Sequence, residues 1–323
     1  MSRMTKYAAI SEDIKQKFLS GDEGLIKSAA EGVTAEFQYE LRENGIRRRV
    51  TPPTMITADD KRLYYKKDSD FPSLLLDVDI QSAGAKLVPF ETGPEGDAIF
   101  RDTVEVEMAR IMTKLYSIDK VRLGGFRMPV LDVLKDLMLK DIMDEEDRIT
   151  IEADRRACGE INKVNEMTGH CHYVDAGAME RETLMHLPLG ILYTQGNLRP
   201  NKMLMHEITY RGLANFKREE VGGDMSQDMF INGVTTTKIG GLDTIVTIKK
   251  DIVPVNDVYI YAEPKFYGGM YMMSDVTMVT EENLGIWYRM MAHEQLGFTI
   301  ANIEGVCRAR IGGGSRVDWE KGL

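Results

Sequence analysis

The sequence has few cysteines and no long apolar run. Its 323 residues include three cysteines, Cys158, Cys171 and Cys307, and an odd number cannot all pair within one chain. This favours a reduced intracellular setting over a disulfide framework. No apolar stretch approaches the ~18 residues of a membrane-spanning helix, and the N-terminal segment lacks the apolar core of a secretory signal. The sequence therefore predicts neither a disulfide-rich module nor a membrane protein.

Positive charge is also in deficit. Lysine and arginine number 41 against 51 aspartates and glutamates, for a formal net charge of −10. Tight binding of phosphates over a broad face needs clustered basic residues, so this class of function is not expected. An acidic face can still enclose nucleic acid without gripping it. The 43% hydrophobic and 28% charged content is that of an ordinary soluble protein, long enough to bury a sizeable core.

The familiar catalytic motifs are missing. The chain has no G-x-x-x-x-G-K-[ST] phosphate loop, no G-x-G-x-x-G opening a helix and no G-x-S-x-G elbow. Two His-Glu pairs begin the H-E-x-x-H zinc motif, but Tyr210 and Gly297 stand where the second histidine is required. The sequence therefore predicts no catalytic residue and no cofactor.

The sequence also contains one group of residues that could bind a soft metal ion. His170, Cys171 and His172 are consecutive, with Cys158 upstream. Structural zinc usually takes four ligands with paired C-x₂₋₄-C spacing, which is missing here. We interpret these residues as ordinary packed or surface side chains, and keep a metal-dependent enzyme using this region as the alternative from another functional class.

The most regular pattern is a long amphipathic helix over Pro129–Cys158. Proline suits its first turn, apolar residues such as Met138 and Ile142 recur at steps of three or four, and Gly159 is placed to end it. At 1.5 Å per residue this helix would run roughly 40 Å, which makes it a spine for other elements. Its acidic run, residues 144–147, is interpreted as a solvated face.

A second pattern predicts a long two-stranded hairpin. Leu74–Ile80 is typical of a buried strand, Glu91–Asp97 is a turn rich in glycine and proline, and residues 103–108 alternate polar with apolar. An isolated hairpin is marginal in water, so this one must lie on something. A neighbouring subunit can serve if the hairpin's own core is too far away.

The first 50 residues have low apolar density and are interpreted as an arm. The arm ends in Arg47, Arg48 and Arg49, close to Pro52 and Pro53. We interpret this basic triplet as a solvated loop, with an arm that clamps an acidic neighbour as the alternative.

Beyond the spine, the chain alternates short strands, loops and helices. Residues 181–193 and 201–216 are predicted to be helical. Strands are predicted at 242–248, 258–261 and 286–293, from β-branched and aromatic content, and residues 298–311 complete the fold.

The order of arm, hairpin, spine helix, mixed domain and returning strands resembles the major capsid proteins of tailed bacteriophages. Encapsulin shells and the herpesvirus capsid floor share that fold. The resemblance covers roughly residues 45–311 and is most specific in Ile231–Phe266 and Glu282–Ile311. There, Gly240-Gly241 leads into a strand and Val253-Pro254 makes a turn before another strand.

The resemblance implies an α+β fold divided into six parts. These are an N-terminal arm (1–50), an extended hairpin loop with flanking strands (51–128), the spine helix of a peripheral domain (129–160), an axial α/β domain (161–275), peripheral-domain strands (276–305), and a final strand with the C-terminal tail (306–323).

It also implies a structural protein rather than an enzyme. The chain would assemble into hexamers and pentamers of an icosahedral head that encloses double-stranded DNA, formed in the host cytoplasm as part of the virion. The implied partners are identical subunits, a separate scaffolding protein, a portal and a decoration protein, with no membrane. An encapsulin-like cargo shell and a tail-tube or sheath protein are the structural alternatives. The predicted inter-subunit contacts are Arg47, Arg48, Lys86, Glu91, Gly93, Pro94, Glu95, Gly96, Asp97 and Arg101.

Overall fold

The computed structural model describes residues 45–57, 59–65, 71–77, 103–119, 121–122, 130–177, 180–212, 238–283 and 286–311. The strands are β1 (Thr54–Met55), β2 (Leu63–Tyr65), β3 (Pro72–Asp77), β4 (Thr103–Glu107), β5 (Ala109–Met112), β6 (Tyr116–Asp119), β7 (Tyr173–Gly177), β8 (Pro200–His206), β9 (Lys238–Ile239), β10 (Leu242–Thr247), β11 (Asp257–Ala262), β12 (Gly268–Asn283), β13 (Trp287–Ile300) and β14 (Val306–Ile311). The α-helices are α1 (Ile46–Val50), α2 (Val130–Cys158), α3 (Arg181–His186), α4 (Leu189–Leu192), α5 (Glu207–Arg211) and α6 (Pro264–Tyr267), and Ile303–Gly305 forms a 3₁₀ turn.

The predicted spine helix is confirmed as α2, which continues unbroken from Val130 to Cys158. It ends at Gly159, whose φ of +70° is the left-handed conformation that glycine adopts without a Cβ penalty. The Gly159 N–H donates to the Arg155 carbonyl at 3.2 Å. Met138 and Ile142 on α2 are fully buried.

The long strands β12 and β13 form an antiparallel ribbon at the centre of one sheet. The sheet order is β1-β12-β13-β5, with β6 also paired to β13. The apolar face of α2 packs against this sheet, where methionines from both strands share one core cluster with Met138 and Ile142. The β12–β13 register shifts between Met272 and Thr277, which marks a bulge where β12 bends.

A second sheet has six strands in the order β7-β14-β11-β8-β10-β9. Every residue of β11 is buried, as expected for a strand in the middle of a covered sheet. The predicted helix over 201–216 is confirmed only at Glu207–Arg211, the short helix α5. Residues 201–206 belong instead to strand β8, and residues 213–216 lie outside the described residues. Met203, Leu204 and Met205 are consecutive and all buried, a run that periodicity alone cannot separate from a buried helix.

The third sheet, β2-β3-β4, contains the base of the predicted hairpin. Strands β3 and β4 pair antiparallel, with Leu74 opposite Val106. The end of β4 approaches β13 closely at Gly297. An added Cβ there would lie 2.6 Å from Met108 Sδ and 3.0 Å from the Glu107 carbonyl oxygen. The two hairpin arms are therefore confirmed at their base, and the predicted turn lies outside the described residues.

Candidate functional site

The basic triplet predicted as a loop lies instead in helix α1, and Arg47 is wholly buried. Its Nη1 donates to Asp154 Oδ2 at 3.0 Å and its Nη2 donates to Tyr267 Oη at 3.0 Å. Its guanidinium also lies 4.0 Å from the centroid of the Phe298 ring, within cation–π range. Arg47 therefore connects α1 to α2 and to the β12–β13 ribbon.

Asp154 is the carboxylate partner in this contact. It accepts hydrogen bonds from Tyr261 Oη at 2.8 Å and from the Tyr267 hydroxyl. Burial raises the pKa of Asp154 above its ordinary value, although the Arg47 charge and the two tyrosines oppose the shift. For Arg47, burial lowers the pKa, but Asp154, Tyr267 and Tyr261 together outweigh burial and the net pKa is raised. The pair is an ion pair removed from water.

Arg48 makes a second buried cluster, with three carboxylates. Its Nε donates to both oxygens of Glu146 at 3.1 Å, its Nη1 to Asp275 Oδ1 at 3.1 Å, and its Nη2 to Glu294 Oε2 at 2.9 Å. The side chains of Arg48, Glu146 and Glu294 are at most 1% exposed. We call these four residues the Arg48 cluster. It ties α1 to α2, β12 and β13.

Two of these carboxyls have raised pKa values. Burial, followed by the charge of neighbouring carboxylates, raises the pKa of Glu146 to about 7 even though Arg48 opposes it. Burial and the adjacent Glu146 raise the pKa of Glu294 well above its ordinary value. The cluster therefore holds more acidic groups than its single guanidinium can neutralise.

Arg47 and Arg48, predicted as inter-subunit contacts, are buried inside their own subunit instead. Their guanidiniums are enclosed by residues of the same chain. The acidic run on α2 is also not simply solvated, since Glu146 and Asp147 are at most 1% exposed. Asp147 accepts from the Arg47 backbone N–H at 3.0 Å and pairs with Lys249 Nζ at 2.6 Å, whereas Glu145 pairs with Arg148 in solvent.

The sequence contains a signal for these buried clusters. Met138, Ile142, Glu146, Thr150, Asp154 and Cys158 follow one another at steps of four, and all are at most 2% exposed. Residues four apart are neighbours on a helix surface, and the row they form is inclined to the helix axis. Polar residues within this buried row of α2 require polar partners elsewhere in the chain.

The hairpin base exposes apolar surface as it leaves the body of the subunit. On one face, Leu74 and Val106 are at most 2% exposed and share a core with Met108. The next pair along the same face is Leu76 and Val104, and Val104 is 37% exposed. The remaining predicted contacts lie outside the described residues: Lys86, Glu91, Gly93, Pro94, Glu95, Gly96, Asp97 and Arg101.

The His-Cys-His region makes ordinary polar contacts just before β7. His172 Nε2 lies 2.7 Å from Thr168 Oγ1, His170 Nε2 lies 2.9 Å from the Gly190 carbonyl oxygen, and Cys171 Sγ donates to the Tyr173 carbonyl at 3.1 Å. In the described part of the chain, no three side chains of the metal-ligating types come together. The region adjoins a cavity of about 480 Å³ that Cys307 also lines.

Three solved structures have a similar architecture, and two of them are capsid structures. The chain is similar to the capsid structure of the cyanophage P-SCSP1u, at a TM-score of 0.57 and 9% identity, over 81% of this chain and 87% of that chain. It is also similar to the capsid of a native GTA particle, at 0.56 and 9%, over 83% and 90%. A chain of Gordonia phage Cozz matches at 0.56 and 9%, over 84% and 87%.

At these identities the likeness establishes the fold. The chain has the α+β fold seen in these capsid structures, and the fold predicted from the sequence is confirmed. No family model and no curated protein matches the sequence. Among the described helices, none has the length and apolar character that crossing a bilayer requires.

Proposed function

We propose that this chain is a major capsid protein of a tailed phage. Identical subunits assemble into hexamers and pentamers of an icosahedral shell that encloses double-stranded DNA, and the chain acts as a structural component of the virion rather than as an enzyme. The capsid fold supports this function. The observation that carries it is the apolar stripe of the hairpin base, which extends beyond the core of its own subunit.

The stripe argues for a contact between copies. Leu63, Leu74 and Val106 on one face of the β2-β3-β4 sheet pack into the subunit. Burial decreases toward the hairpin tip along the same face, where Val104, paired with Leu76, is 37% exposed. The inner end of this three-stranded sheet packs on the subunit core. Toward the hairpin tip, its own chain supplies little further apolar surface to stabilise it. A second copy supplies the missing apolar surface.

The tip residues predicted from the sequence extend this contact in our proposal. Residues 78–102 connect β3 to β4, and include Lys86, Glu91–Asp97 and Arg101. They would lie over the adjacent subunit as the extended loop of the capsid fold. Heterologous contacts of this kind close into rings. A scaffolding protein, a portal and a decoration protein remain proposed partners of the assembled shell.

A single charge on the apolar stripe tests the proposal. Val104→Asp should leave the subunit folded, because Val104 is partly exposed, whereas Val106 belongs to the core. Burying an unpaired carboxylate between copies is costly, so the variant should remain as small species. Sedimentation and negative-stain microscopy measure assembly, and circular dichroism measures folding.

Thr103→Asp is the matched control. It adds the same charge to the same strand, but Thr103 points to the opposite face and is exposed. We expect this variant to form closed particles like the unsubstituted chain. Closed particles from Val104→Asp would contradict the proposed contact, and particles filled with protein rather than DNA would indicate an encapsulin-like cargo shell.

A further inference from the structure

The Arg48 cluster has an imbalance of charge that geometry alone reveals. Three carboxylates surround one guanidinium, and Glu146 Oε2 and Glu294 Oε2 both contact the same nitrogen, Nη2, at 3.1 and 2.9 Å. If both glutamates were ionised, two buried negative charges would share one guanidinium, and at least one of them would be uncompensated out of water. Burying unpaired charge is so unfavourable that carboxyl groups take up protons instead.

Among the described residues, the cations nearest the two glutamates besides Arg48 are paired with other carboxylates. Lys249 reaches Asp147 and Asp144 at 2.6 and 2.9 Å, and Arg47 is paired with Asp154. Glu146 and Glu294 therefore share Arg48. In addition, Glu294 Oε1 is buried and has no hydrogen-bond partner within the described residues. A protonated carboxyl tolerates this environment better than a carboxylate does.

We propose that the Arg48 cluster is a proton-binding site that holds one proton between Glu146 and Glu294 at neutral pH, and that losing this proton in alkaline solution loosens β12 where it bends. The proton passes to solvent, and the cluster gains one negative charge. This inference does not depend on the proposed capsid function, since every group involved lies within one chain.

The position of Asp275 connects the cluster to the bend. Asp275 lies between Ser274 and Thr277, where the β12–β13 register shifts. Its Oδ1 accepts from Arg48 Nη1 and from the Val276 backbone N–H at 2.8 Å. Arg48 therefore fixes the bulge of β12 against α2. Additional negative charge on Glu146 or Glu294 repels Asp275 and competes for the same guanidinium.

The sign of the pH effect follows from the raised pKa values. In the unfolded chain both glutamates release their protons near their ordinary value of 4.5, whereas in the folded chain Glu146 does so at about 7 and Glu294 well above 4.5. The stabilisation from the bound proton is therefore complete below pH 4.5 and is lost as the pH rises through the folded pKa values. Burial lowers the pKa values of His172, His206 and His293. Because their pKa values are lowered, these histidines reduce the stability of the fold as the pH falls below 6.5, which opposes the effect of the cluster. The pH dependence of the cluster is therefore best measured above pH 7.

Infrared spectroscopy of the folded full-length chain at pH 7.5 tests for the proton directly. We expect a carbonyl band from a protonated carboxylic acid, lost in Glu294→Gln and in Glu146→Gln, because either substitution removes one of the competing charges. Glu145→Gln, on the same helix but exposed, should keep the band. Asp154 is common to all the variants, so the difference spectra isolate the cluster.

Hydrogen exchange at Ser274–Thr277 tests the effect on the bend. After correction for intrinsic rates, protection in the unsubstituted chain should fall at least several-fold between pH 6.5 and 8.5, and should stay constant in Glu294→Gln. The absence of a protonated-carboxyl band in the unsubstituted chain overturns the proposal whether or not the variants fold. Equal loss of protection in Glu294→Gln and the unsubstituted chain overturns the link to β12.

Discussion

At the scale of single residues, the two arginines of α1 show where sequence reasoning fails. A basic triplet beside two prolines is usually a solvated loop, yet Arg47 is fully buried and Arg48 is 4% exposed. Their partners are 98 to 246 residues away in the sequence. No local pattern encodes such distances. The sequence feature that corresponds to these partners is the set of polar residues in the buried row of α2.

The Arg47–Asp154 pair gives a direct test of this burial. Asp154→Asn removes the carboxylate and leaves the Arg47 guanidinium buried without its counter-charge, which typically costs about 3–5 kcal/mol of unfolding free energy. Urea denaturation of the full-length chain measures the change. Glu145→Gln breaks the exposed pair with Arg148 and should leave the midpoint unchanged. Equal midpoints for the two variants would show that Arg47 is not held by Asp154.

At the scale of elements, periodicity predicted some structures and misled on others. The spine helix has a long, uninterrupted apolar repeat, and its predicted last residue, Cys158, is the observed one. The β8 segment has no such repeat. Its three consecutive buried residues are covered on both faces by neighbouring elements, so the helical prediction failed where tertiary contacts replace the alternation of a half-exposed strand.

Adjacent residues of the spine helix test its buried stripe. Met138 is fully buried against the ribbon, whereas its neighbour Leu137 is 43% exposed. Met138→Ala should lower the unfolding free energy by about 2–5 kcal/mol, because it leaves a cavity in a packed core. Leu137→Ala should have a much smaller effect, since no comparable cavity forms. Chemical denaturation compares the two, and similar losses would mean that the stripe is misplaced.

At the scale of the whole molecule, element order was more informative than any motif. The sequence predicted a capsid fold from its succession of elements, and the comparison with capsid structures confirms that fold at 9% identity. The contact surface was less accessible to sequence reasoning. Val104 and Val106 look equivalent in an alternating strand, and only the structure separates the buried one from the exposed one.

Deleting Glu91–Asp97 tests whether assembly requires the hairpin tip. The deletion shortens the connection between β3 and β4 without touching their paired residues, and loop-closure entropy changes only slowly with length. The subunit should therefore keep its unfolding midpoint while failing to form closed particles under the electron microscope. Replacing the same seven positions with a glycine-serine linker keeps the length of the hairpin but removes its side chains. If the linker variant assembles and the deletion does not, assembly depends on the length of the hairpin rather than on its side chains. Normal shells from the deletion itself would remove the tip from the proposed contact and leave the apolar stripe at Val104 to account for it.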